Sequence, residues 1–241
     1  MAPESLSQQK GDNTYRSLTQ IIVGQIRRGI YEGTYKPGAK LNIADLAQNF
    51  NASAVPVREA LRNLEAEGLV EFRPNRGVII RDLSASELRE LCLMRLPLEL
   101  LAATQAALHA DDAALDAVEL ILKRMDDVAD TEEWHSLHER FHHDFYSLSQ
   151  LPRLTQYAEV LRGQMRPYAK LYLSNPKHVG MAQAEHYAMI AAARKRDPHA
   201  IRPALVEHLR RPAHMALAAL GVTDLNEFDT HFELVTAAPP A

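Results

Sequence analysis

The chain carries a single cysteine, Cys92, in 241 residues. No disulfide framework can form within it, and a reducing compartment is the simple expectation. The opening stretch, MAPESLSQQKGDNTYR, lacks the basic segment and apolar core of a secretory leader. No apolar run approaches the roughly 18 residues that a membrane span needs. A cytoplasmic protein without a membrane partner is therefore expected. Aromatic residues are sparse at 6%, but the hydrophobic share of 46% is enough to build a core rather than a disordered chain. A net charge of -4 speaks, taken alone, against a nucleic-acid binder. The distribution of charge matters more. Residues 1–81 hold 11 Lys+Arg against 8 Asp+Glu, a net of +3, whereas residues 82–241 hold 16 against 23, a net of -7. All 11 histidines lie from His109 onward. This asymmetry predicts two domains, 1–81 and 82–222, and a C-terminal tail, 223–241, expected to be loose.

In the first 81 residues, Tyr15, Leu18, Ile21, Ile22, Ile26 and Ile30 recur at helical spacing. They predict a first helix from about Thr14 to Tyr31, broken by Gly33, Pro37 and Gly38. A short second helix follows over Ile43 to Phe50, and Asn51-Ala52 make a turn. Ser53 stands where an N-cap hydroxyl accepts an orphan backbone N–H. Pro56 falls in the first turn of a third helix, Val57, Leu61 and Leu64 form its buried stripe, and Gly68 ends it. Beyond it, LVEF and GVII flank RPNR, the pattern of a β-hairpin. Three helices and a hairpin in this order describe a winged helix-turn-helix, whose last helix enters the major groove. Ser53 and the first amides of that helix suit a phosphate, Arg58 a guanine edge or a phosphate, and Arg76 with Gly77 a close approach to the sugar-phosphate chain.

The stretch PVREALRNLEAEGLVEFRPNRGV, with Gly33…Pro37-Gly38…Leu41 upstream, resembles the signature of the GntR family of bacterial transcription regulators. The resemblance covers about Tyr15 to Arg81. It implies double-stranded operator DNA as partner and a homodimer on a pseudo-palindromic site. The family's recognition helix usually opens S-R-T-P-V-R; here the same positions read Ser53-Ala54-Val55-Pro56-Val57-Arg58. Two polar contacts are thereby lost, while apolar Ala54 or Val55 remains able to read a thymine methyl.

From Ser84 to Val222 the pattern is helical and strand signals are missing, so an all-α antiparallel bundle is predicted. Pro97 and Pro167 are expected to kink or bend their helices. Met94, Met165, Met181 and Met189 read as core filler. His138 and His142, four residues apart, share one helix face and can bind one metal ion. His186 and His208 lie on later helices beside apolar neighbours. By spacing alone His135, His143 and His214 compete for the same roles.

This second half resembles the FCD ligand-binding domain of the FadR subfamily. The resemblance rests on Arg95…Glu99 in MRLPLELLAA, Phe141-His142 in HERFHH, Glu185-His186 in AEHYAMIAAARKRD, and Glu207-His208-Leu209 in VEHL. It implies a divalent metal held by an Asp-x3-His pair and two further histidines, which fall on His138, His142, His186 and His208. His138 stands in place of the aspartate. An all-imidazole set favours zinc, nickel or copper over hard cations, with zinc or nickel foremost. The resemblance also implies a small carboxylate effector, for which Arg95 is the matching cation and Arg162 a second candidate. An i, i+4 ion pair with Glu99 is the alternative role for Arg95. Two other functions fit the histidines: a regulator for which the metal itself is the signal, and a metalloenzyme fused to a DNA-binding head. Against the enzyme, neither Glu139 nor Asp144 stands at a known catalytic spacing such as H-E-x-x-H.

Overall fold

The computed structural model of the chain describes residues 17–74 and 76–236. The predicted helix start at Thr14 and the turn residue Asn75 lie outside the described residues. Helix α1 (Leu18–Tyr31) begins at a capping box: Gln20 N–H donates to Ser17 Oγ at 3.3 Å, and Ser17 N–H donates to Gln20 Oε1 at 3.2 Å. Its buried Ile22, Val23, Ile26 and Ile30 face α3 (Ala54–Ala66), which contributes Val57, Ala60, Leu61 and Leu64. Helix α2 (Ile43–Asn49) is capped by Asn42, whose Oδ1 accepts from Ala44 N–H at 2.9 Å. The chain leaves α3 through Gly68, at a φ of +73° that side chains rarely adopt.

Strands β2 (Val70–Arg73) and β3 (Gly77–Ile80) form the predicted antiparallel hairpin, with Val70 opposite Ile80 and Phe72 opposite Val78. A strand absent from the sequence reading, β1 (Lys40–Leu41), pairs with the free edge of β3, giving the order β1-β3-β2. Two residues contain no alternation to read, which is why β1 is invisible until its partner is in place.

Seven helices follow: α4 (Ala85–His109), α5 (Asp112–Asp127), α6 (Thr131–Ser147), α7 (Pro152–Leu173), α8 (Pro176–Arg194), α9 (Pro198–Ala219) and α10 (Asn226–Thr236). Helix α4 packs against α6, α7, α8, α9 and α10 and forms the axis of the bundle. Among the described residues it is the one helix long and apolar enough to cross a membrane by length and composition, with a mean hydropathy of 1.4. The run-by-run reading of the sequence had found no such segment. Its buried face is taken up by bundle packing and also carries Arg95 and Glu99. Pro97 does not break α4, and α7 continues through Pro167. Met165 and Met189 are core residues as expected, but Met94 is exposed.

The tail 223–241, expected to be loose, is instead helical over Asn226–Thr236; residues 237–241 lie outside the described residues. Phe228 and Phe232, one turn apart, are 0% and 1% exposed against α4 and α9. His214 on α9 contacts Asp229 at 2.7 Å, and Arg89 on α4 pairs with Glu227 at 3.2 Å. An apolar stripe of two aromatics is too short to read as a periodic helix, yet it buries two of the largest side chains in the domain. Phe228→Ala is expected to cost about 3–5 kcal/mol through lost burial and the cavity left behind. Leu234→Ala, at an exposed position, should stay within about 0.5 kcal/mol of the parent. Urea denaturation midpoints of the two variants check both values.

Candidate metal centre and nucleic-acid interface

The N-terminal turns of α3 are laid open. Ser53, Ala54, Val55 and Arg58 are exposed, and Arg58 makes no ion pair among the described residues. Ser53 occupies the N-cap position with an extended backbone (φ -76°, ψ 167°), but its hydroxyl makes no capping bond. The expected cap interaction is thus absent, which leaves both the hydroxyl and the first helix amides available to a phosphate. Arg62, one turn beyond Arg58, has a different role. It donates to Glu65 at 2.7 Å and stacks 3.9 Å over the Phe72 ring. Glu65 in turn accepts the Phe72 N–H at 2.9 Å, a bond that holds its carboxyl below the usual range. These contacts fasten the hairpin to α3. At the hairpin tip Arg76 is exposed, and Gly77 has a φ of +79°.

In the bundle, α6 presents His138 and His142 on one buried face, α8 adds His186 and α9 adds His208. One ring nitrogen from each lies within 4.8 Å of the others. His142 Nε2 is 3.2 Å from His138 Nε2 and 3.1 Å from His208 Nε2. Tetrahedral Zn–N bonds of about 2.0–2.1 Å place ligand nitrogens about 3.3 Å apart, so this spacing matches one ion. The outer nitrogens are oriented from behind. His208 Nδ1 contacts Glu185 at 3.1 Å, His186 Nδ1 contacts the Gln183 side-chain oxygen at 3.3 Å, and His138 Nδ1 faces Glu139 at 3.6 Å. Such partners fix the tautomer that leaves Nε2 as a lone-pair donor. His186 Nε2 and His142 Nδ1 are buried without a hydrogen-bond partner.

Burial lowers the His138 pKa to about 4, against the opposing pull of Glu139. Burial and the Arg162 charge keep His142 well below its ordinary value, and burial with the neighbouring imidazoles does the same for His186. These three rings are therefore neutral near pH 7, as metal ligation requires. The donor set fits a late first-row transition ion.

Three arginines frame the cluster. Arg95 Nε donates to Glu99 at 2.7 Å, so its i, i+4 alternative is realised. The Tyr146 hydroxyl donates to the other oxygen of Glu99 at 2.7 Å. Arg162 lies 3.6 Å from Glu99 and donates to Glu139 at 3.1 Å, and Arg166 pairs with Glu139 as well. Burial alone would raise both carboxyls. At Glu99 it is outweighed by Arg95 and Arg162; at Glu139 by Arg162, His138 and Arg166, which hold it well below the carboxylate range. Arg95 and Arg162 line a cavity of about 40 Å³ together with His138, His142 and His208. The competing histidines are elsewhere: His143 pairs with Glu159, His214 with Asp229, and His135 faces an outer cleft. Glu139, Glu185, Gln183 and Arg166 were not read as site residues; that Arg162 and Arg166 share a helix face was the available signal.

The histidine-lined bundle touches the DNA-binding head directly. Arg166 stacks 4.2 Å over the Tyr31 ring of α1, and Gln164 donates to the Glu67 carbonyl at the end of α3 at 2.9 Å. Glu67 also accepts two bonds from Arg27 of α1. Gly163 permits this approach, since a Cβ there would lie 2.6 Å from the Tyr31 hydroxyl oxygen.

A winged helix-turn-helix joined to a helical domain with a buried histidine cluster defines a class of DNA-binding transcription regulators. The chain belongs to the GntR family of bacterial regulatory proteins, matched over residues 18–80, and carries an FCD domain, matched over residues 90–211. It is 27% identical over 188 residues to the HTH-type transcriptional regulator YdhC of Bacillus subtilis (strain 168), covering 76% of this chain and 84% of that one. It is 25% identical over 206 residues to the HTH-type transcriptional regulator McbR of Escherichia coli (strain K12), covering 83% and 93%. The solved structure of E. coli McbR/YncC has the same fold, with a TM-score of 0.75 at 23% identity over 85% of this chain and 99% of that one. The family and these relatives are transcription regulators rather than enzymes.

The neutral cluster has a consequence for stability. In the unfolded chain histidine takes up a proton near pH 6.5, whereas folded His138 does so only near 4, and His142 and His186 resist it further. Across that window the unfolded chain binds more protons, so the metal-free protein loses stability as pH falls from about 6.5 toward 4. Thermal melts in chelator should show a falling Tm; a flat profile would mean that the rings are already protonated or exposed.

Proposed function

We propose that the protein is a homodimeric repressor on a pseudo-palindromic operator, controlled by a small carboxylic acid held beside a divalent transition metal, zinc or nickel. Residues 1–81 act as the head and 82–222 as the sensor, in the cytoplasm. Ser53 and Arg58 dock α3 in the major groove, and Arg76 with Gly77 bring the hairpin against the backbone. His138, His142, His186 and His208 hold the metal. The observation that carries this reading is the convergence of four imidazoles, three of them held neutral, inside a bundle that also bonds to the C-terminal end of α3. When bound, the ion supplies a fixed positive charge that attracts a carboxylate. Arg95 and Arg162, on the wall of the same cavity, orient the acid, and Glu99 and Glu139 keep those guanidiniums in place. An acid that favours one arrangement of the bundle shifts the spacing of the two heads and so the operator affinity.

A second reading makes the metal itself the signal. It is favoured by the prior engagement of Arg95 and Arg162 with glutamates, and by a ligand set that alone completes a tetrahedral shell. Titrating metal against operator binding, with and without carboxylic acids, separates the two. An effector-anchoring metal is retained throughout and only the acid moves affinity; a sensor responds to metal alone. His142→Ala should abolish metal retention, read by atomic emission after dialysis. Arg58→Ala should cost about 1–3 kcal/mol of operator affinity if Arg58 reads a base. Unchanged affinity in a gel-shift titration at fixed salt removes Arg58 from that role.

A further inference from the structure

We infer that the effector is a dicarboxylic acid that spans the boundary between sensor and head, with one carboxylate at the histidines and the other against α1. This inference rests on the acid-responsive reading above and names the chemistry and position of that ligand. The cavity at the histidines holds about 40 Å³. A buried water needs roughly 10–15 Å³ measured in this way, so the chamber takes a carboxylate group but not a carbon skeleton. The remainder of any acid has to extend outward. The opening available to it is a cleft of about 420 Å³ that shares His138, Glu139, Arg166 and Ala169 with the inner chamber. The far wall of the cleft is not sensor but head: Gly24, Arg27, Arg28 and Tyr31 of α1.

The cleft has the charge for a second anionic group. Arg27, Arg28, Arg166 and Lys170 stand there against Glu32, Glu132 and Glu139, an excess of one positive charge. Arg27 and Lys170 are already bonded to Glu67 and Glu132. Arg28 is not firmly held: it is 78% exposed and 3.8 Å from Glu32. Arg166 Nε is buried at the site without a partner. Arg28 at the outer end is thus the least committed cation, and Arg166 at the neck, already paired with Glu139, keeps one N–H, at Nε, unpartnered; guanidiniums of this kind complement carboxylate oxygens. A ligand in this position touches α1, which is tied through Arg27 to Glu67 at the end of α3. A ligand there biases the placement of the head by direct contact with α1, the same bundle-to-head arrangement that sets the spacing of the two heads.

Calorimetric titration of the metal-loaded full chain tests this with succinate, glutarate and adipate against butyrate and hexanoate. At least one diacid is expected to bind tenfold or more tightly than either monoacid. Gly24→Leu fills the cleft at a helical position where a Cβ meets nothing within 4 Å, and Arg28→Glu reverses the outer charge without touching the core. Each should weaken the diacid tenfold or more, with bound metal measured alongside. Should Gly24→Leu melt early, Arg28→Glu decides. Diacid binding unchanged in the folded variants, or monoacids bound as tightly as diacids, overturns the spanning site while an acid-dependent shift in operator affinity would leave the proposed function standing. Loss of metal in step with loss of acid places the effect at the histidines and also overturns it. Wild-type protein that binds none of the five acids overturns the inference and the acid-responsive reading together.

Discussion

Charge compensation around a buried group of imidazoles is the constraint on which the helical domain depends. Histidines gathered in a helical core stay neutral only while burial outweighs the pull of nearby carboxylates. The arginines beside them must in turn be balanced to remain buried at all. Glu99, fully buried, balances both Arg95 and Arg162, and the Tyr146 hydroxyl donates to its second oxygen. Removing one member of a buried pair costs on the order of 3–5 kcal/mol, because the other charge is left without a partner. Glu139 has a broader role, since it faces His138, Arg162 and Arg166 at once. It is the residue through which the clustered imidazoles, the cavity wall and the contact with Tyr31 share one electrostatic balance.

The head solves a different problem, that of leaving selected groups unengaged. Arg58 and Arg62 have the same chemistry one turn apart, but only Arg62 is taken up by the fold, through Glu65 and the Phe72 ring. The fold thus fixes the hairpin with one arginine and offers the other to a partner. Ala54 and Val55 stand exposed beside Arg58 where a polar pair is usual in this family. An apolar side chain there makes no phosphate bond and is the kind of group that can pack on a thymine methyl.

Much of the head was legible because helix period, turn residues and hairpin signals all agree over Ser53 to Ile80. The bundle was legible as a class from its helical period alone. Its site was less so. Spacing left seven histidines in competition, and only the family resemblance chose His138, His142, His186 and His208; the structure brings those four rings together. The rest was unreadable for physical reasons. Strand β1 exists only because β3 has a free edge. The absent Ser53 cap bond is a matter of one rotamer. Glu139 and Arg166 act across helices, which no local period reports. The single positive charge left in the outer cleft arises from residues more than 100 positions apart, on α1 and α7.

Helix α10 closes the bundle from outside, with Phe228 and Phe232 pressed on α4 and α9 and Asp229 bonded to His214. The same α4 carries Arg95 three turns from its start. Reporter proteins or purification handles joined at the C-terminal side therefore belong beyond Thr236, on a spacer long enough to let that lid stay shut. A shortened version ending at Gly221 would leave two aromatic-sized holes over the helix that carries Arg95, and so would be a poor substitute for the whole chain.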